Sequence, residues 1–82
     1  MTSDQCNRLL DLFLLCKLAS AAWLDIAPIN QRNGSTFKEL EEVKELATEL
    51  EEMGVPEAKI VNVLATHLPK PVFHHAFPAL VA

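Results

Sequence analysis

Residues 8–24 read RLLDLFLLCKLASAAWL, and after Arg8 only Asp11 and Lys17 interrupt the apolar run. Four structures fit such a run: a membrane span, a cleaved leader, a helix buried all round, or a helix that keeps a surface for another chain. A spanning helix needs roughly 20 consecutive apolar residues. The stretch from Leu9 to Leu24 falls short of that, carries two charges that are costly in lipid, and is followed at once by Asp25. Ala19-Ser20-Ala21 would suit a leader's cleavage site, but Asp11 and Lys17 break the apolar region a leader needs. The run is therefore expected to be a helix of the folded protein.

At about 100° per residue this helix carries two apolar stripes rather than one. Leu9, Leu12/Phe13, Cys16, Ala19 and Trp23 form the first, which should meet the rest of the core. Leu14/Leu15, Leu18 and Ala22 form the second, bracketed by Asp11 and Asp25. Whether a partner or the chain's own tail covers that second stripe is the question on which the function turns.

Working outward, Ser3 is a candidate N-cap for the first helix, and Pro28 limits its far end. Residues 28–35 (PINQRNGS) form a polar loop with an Asn-Gly turn signal. A second helix is expected to begin at Thr36, with Glu39 three residues later completing a capping box, and to end at Met53 before Gly54. Leu40, Val43, Leu46, Ala47, Leu50 and Met53 share one face of it. Glu41, Glu42, Glu45, Glu49 and Glu52 lie opposite, and their i,i+4 neighbours repel by roughly 0.2–0.5 kcal/mol each. Such a face is ordinarily a solvated one; here it could also set partner choice. A third helix opens at Pro56 and stops before Pro69, with Pro71 reinforcing the stop, and Ile60, Val61, Val63, Leu64, Ala65 and Leu68 cover more than half its circumference.

The expected fold is all-α. It is a three-helix bundle-like single domain over 1–82, with helices at about 4–24, 37–53 and 56–68. The long apolar first helix is central, and a Pro-rich C-terminal strap over 69–82 packs through Phe73, Phe77 and Leu80. Eighty-two residues suffice for one small core, and half of them are apolar, which excludes general disorder.

Charge and composition narrow the function further. Eleven acids against seven Lys and Arg give a net charge of −4, which offers no general attraction to phosphate backbones or anionic membranes. Two glycines cannot build a phosphate-cradling loop, and a chain with no Tyr and one Trp lacks a base-stacking platform. Cys6 and Cys16 lie on one helix, about 15 Å apart at 1.5 Å per residue. That is too far for a disulfide, so both are expected as buried free thiols, which suits the reducing cytoplasm.

His67, His74 and His75 match no structural-zinc spacing, and His67 is simply placed to face the C-terminal end of a helix dipole. No cofactor and no metal is expected. A Cys–His pair lacks a recognisable third orienting group, so catalysis is not expected either.

Leu46–His67 (LATELEEMGVPEAKIVNVLATH) resembles a helix-turn-helix, with Gly54 in the turn and Ile60 pointing inward. The resemblance implies DNA recognition by the segment after Pro56. Lys59 is the one fixed positive charge there, Glu57 sits at the end that should enter the groove, and Leu50 stands where a small residue belongs. Met53-Gly54-Val55 is also similar to the Met-Gly-aromatic loop of ubiquitin-associated domains, with Val55 in place of the aromatic residue.

The function expected on these grounds is non-enzymatic. The chain reads as a small regulator, inhibitor or adaptor that binds another protein and is itself expected to be a homodimer. Leu14, Leu15, Leu18 and Ala22 would bind, with Glu42, Glu45 and Glu49 setting specificity. A DNA-binding regulator and a small metal- or thiol-dependent enzyme are the alternatives.

Overall fold

A computed structural model describes residues 2–25 and 37–81. Helix α1 spans Ser3–Asp25, α2 Lys38–Glu52, α3 Glu57–His67, α4 Lys70–Ala76 and α5 Pro78–Val81. The described residues form helices without strands, so the fold is all-α. The expected Asn33-Gly34 turn and the cap at Thr36 lie outside the described residues.

Helix α1 is capped one residue before the expected cap, Ser3. The Thr2 hydroxyl accepts from the Gln5 amide at 3.2 Å, and the Gln5 side-chain oxygen accepts from the Thr2 amide at 2.8 Å. This is a reciprocal capping box on Thr2-Ser3-Asp4-Gln5, satisfying two backbone donors that a helix start leaves over. Ser3 is therefore the first helical residue and not the cap. Gln5 also donates through Nε2 to the Met53 carbonyl at 2.7 Å, tying the start of α1 to the end of α2.

The α2–α3 junction follows the sequence closely. Val55 donates to the Leu50 carbonyl at 3.1 Å and Gly54 to the Glu51 carbonyl at 3.0 Å, the paired bonds of a Schellman turn. Gly54 sits at φ +86°, in the left-handed region where a side chain is strained. Leu50 and Val55 are both buried across this turn. At its other end α2 begins at Lys38, with Phe37 in the cap position and no side-chain hydrogen bond there.

The core lies on one side of α1. Leu12, Cys16 and Ala19 are fully buried and Trp23 nearly so, facing Leu40, Val43 and Leu50 of α2 and Ile60 and Leu64 of α3. Helix α1 packs mainly on α2 and α3 together, and both approach the same stripe. Phe13, on the α3 side, meets the His67 ring edge-on at 4.4 Å, and the Lys17 ammonium lies 5.2 Å from the Phe13 centroid.

The C-terminal segment is not the extended strap that its prolines suggested. It folds as α4 and α5, with Pro69 as the cap and Pro71 within the first turn of α4. A first-turn amide has no intrahelical acceptor, so proline's missing N–H costs nothing there, and its fixed φ favours the helix. Val72 and Phe73 complete the core, and Phe77 and Leu80 pack against it. A cleft of about 220 Å³ places Phe77 and Leu80 beside Ala47 of α2 and Ile60 of α3. The tail thus wraps α2 and α3.

Cys16 is a core residue, and burial pushes its thiol up to about 12 from an ordinary value of 9.0. Below pH 9 the thiol is neutral whether the chain is folded or unfolded. Between pH 9 and about 12 the unfolded chain releases this proton and the folded one holds it, so stability falls as pH rises through that window.

Two outcomes follow from this packing. Gly54→Ala should cost about 1–2 kcal/mol in urea unfolding, because a Cβ there meets only Gln5 Nε2, at 3.7 Å, and the penalty comes from the backbone. A cost within experimental error would contradict the left-handed turn. Melting curves from pH 8 to pH 11 should fall more steeply for the wild type than for Cys16→Ala, and parallel slopes would contradict the buried neutral thiol.

Candidate functional site

Because α2 and α3 approach the same side of α1, the opposite side is left open. Leu10 is 56 % exposed, Leu14 49 %, Leu18 59 % and Leu24 57 %. Leu10, Leu14 and Leu18 follow one another at i,i+4 and so align along the helix. Leu10, Leu14 and Leu18 thus make an apolar row on the open side, with Leu24 farther around the helix, and an apolar surface of this kind is a candidate contact site.

The structure separates the residues expected to form this face. Leu14 and Leu18 are exposed as anticipated, whereas Leu15 and Ala22 are half-buried and Leu15 packs against the core. Leu10 and Leu24 join the face, though neither was among the expected residues. Leu10 was legible, since it lies one turn before Leu14; extending the i,i+4 series backwards would have found it.

Beside the leucine strip a groove of about 410 Å³ runs between α1 and α2. Leu14 and Leu15 from α1 and Leu46 from α2 give it an apolar floor. Its rims are Asp11 on one helix and Glu42, Glu45 and Glu49 on the other. The three glutamates expected to set specificity are therefore brought together with Leu14 and Leu15. Leu18 and Ala22 do not line the groove.

Arg8 closes one end of it. Its guanidinium donates to Glu49 at 2.6 Å and lies 3.5 Å from Asp11. The hydrogen bond and the charge of Glu49, with a smaller contribution from Asp11, raise the Arg8 pKa above its ordinary range. Beyond this bridge a second depression is lined by Asp4, Asn7 and Met53. Glu42 and Glu45 make no ion pair among the described residues, and Lys38, one turn before Glu42, makes none with it. Among the described residues, the open stretch of the groove is acidic.

The other chemical candidates are dispersed. Cys6 is exposed on α1 and Cys16 is buried, so only one of the two expected core thiols is in the core. Among the described residues no three His, Cys, Asp or Glu side chains gather as metal ligands. His67 rests against Phe13, and His74 and His75 are exposed on α4. The solvent side of α3, where the helix-turn-helix resemblance would put base contacts, presents Glu57, Lys59, Asn62 and Thr66. Among the described residues no helix is long and apolar enough to cross a membrane.

Compared with known proteins, the chain matches no family model, no curated protein and no solved structure.

Proposed function

We propose that this chain is a small non-enzymatic interaction protein, a regulator, inhibitor or adaptor that works by docking the open face of α1 onto another protein chain. The observation that carries the reading is the row of half-exposed leucines on a helix whose other side is fully packed. Exposed apolar area of that kind is favourable to bury, at about 25 cal/mol per Å². A few anchors of this type usually carry most of a binding energy. Both a foreign protein and a second copy of the chain can supply the cover, and a homodimer is the simplest symmetric case.

The alternatives draw less support from the same residues. A thiol nucleophile needs a lowered pKa, and Cys16 is displaced the opposite way. A DNA-reading helix needs cations for phosphates, and the solvent side of α3 offers Lys59. A reducing, cytoplasmic setting goes with the proposal because two free thiols are retained.

Leu18→Glu is the direct test. Its side chain is largely in solvent, so stability should change by no more than about 0.5 kcal/mol, with helix content by circular dichroism intact. Self-association by light scattering, or the set of proteins retained from source-cell extract, should be lost. Unfolding of the variant would make the strip part of the core and end the proposal. A folded variant with unaltered association and unaltered captured proteins would end it equally.

A further inference from the structure

The groove beside the leucine strip has a chemistry of its own, and it constrains what can cover the face. Its floor is apolar, through Leu14, Leu15 and Leu46, and its open rim carries Glu42 and Glu45, which form no ion pair among the described residues. An open apolar-floored groove between two helices suits a third helix, laid in by its apolar face. The rim decides the sign of that helix's flank.

A second copy of this chain would meet the rim badly. When two identical helices pair antiparallel about a two-fold axis, each flank faces the same flank of its copy. Asp11, Glu42 and Glu45 of both copies would then lie along one shared flank, where like charges repel and the cation lining the groove, Arg8, is already engaged by Glu49 and Asp11. Parallel pairing would set the acidic edge against the α3 edge of the copy, where α1 supplies Lys17 alone, already lying over Phe13. A positively charged partner meets neither obstacle.

We propose that the groove between α1 and α2 seats an amphipathic helix of another protein, with leucine-type anchors toward Leu14 and Leu46 and lysines or arginines along the flank beside Glu42 and Glu45. This rests on the reading of α1 as a docking face and names the partner's chemistry. Arg8 confers polarity, because its positive charge closes one end of the groove and leaves the acidic stretch at the other. The basic flank of the incoming helix must run away from Arg8.

The probe is a peptide of ~18 residues, about 27 Å as a helix. It carries leucines at i, i+3, i+4 and i+7 spacing and lysines on one flank. Its twin carries glutamate at every lysine position. Binding of each, fluorescently labelled, to the full chain is followed by anisotropy at about 0.05 M and 0.5 M salt, which brackets strong and weak screening.

The lysine peptide should bind at least about tenfold more tightly than its twin and should weaken as salt rises. Glu42→Lys with Glu45→Lys should reduce its affinity about tenfold or more. Glu51→Lys with Glu57→Lys, an equal change of charge at exposed positions on the cleft beside the tail, should change it by about twofold or less. Leu14→Ala, which removes an anchor from the groove floor at a half-exposed position, should also weaken it.

Equal loss from the two double variants would overturn the proposal, since attraction would then be to net charge and not to the groove. Equal binding of the twin peptides would overturn it as well. If the lysine peptide fails to bind while Leu18→Glu abolishes self-association, the basic partner is wrong and the docking face stands, occupied by a second copy. If the peptide fails and Leu18→Glu alters no association, both readings fall.

Discussion

The structure depends on a single geometric constraint: a helix of 23 residues has two long sides, and the other described helices cover one of them. Leu12, Cys16, Ala19 and Trp23 occupy the covered side and are met simultaneously by α2 and α3. Once both partners share that stripe, neither can reach the opposite one. The last helices leave it open too, with Val72 and Phe73 in the core and Phe77 and Leu80 beside Ala47 of α2 and Ile60 of α3. The exposed leucines result from how a short chain distributes its limited apolar cover.

The polar contacts around α1 fix its placement more than they add to its stability. Gln5 reaches the Met53 carbonyl and Arg8 reaches Glu49, both from the first two turns of α1 to the last turn of α2. Exposed ion pairs contribute little, about 0–1 kcal/mol. Their effect is to hold the start of α1 against the Gly54 turn, which sets the spacing of the two helices and hence the width of the groove farther along. The apolar contacts supply the free energy, and these few hydrogen bonds choose the register in which it is gained.

Much of this was legible in the residues, and the misses have identifiable causes. The all-α class, the buried stripe of α1, the apolar face of α2 and the Gly54 stop follow from spacing and turn chemistry, which are local properties. The Thr2–Gln5 box was equally local and was obscured because Ser3 is itself a good cap. Pro71 misled for a different reason: proline ends a helix from inside but begins one in its first turn, and the choice depends on whether Val72 and Phe73 find a core. The open face was anticipated through Leu14 and Leu18 but displaced toward Leu15 and Ala22. Which flank of α1 stays open is decided by how α2 and α3 straddle it, a packing result that no single helix encodes.

The acids of α2 bear on the same point. Glu41, Glu45 and Glu49 repel one another at i,i+4 spacing, so the helix carries a small stability penalty that a mixed face would avoid. Solubility alone could be served by acids anywhere on the solvent side. Arg8 relieves one end by engaging Glu49, while Glu42 and Glu45, beside Leu14 and Leu46, form no ion pair among the described residues. An apolar floor with an uncompensated charged rim is a surface whose polar part is satisfied by water in the free chain. It gains from any partner that replaces that water with cations while covering the leucines.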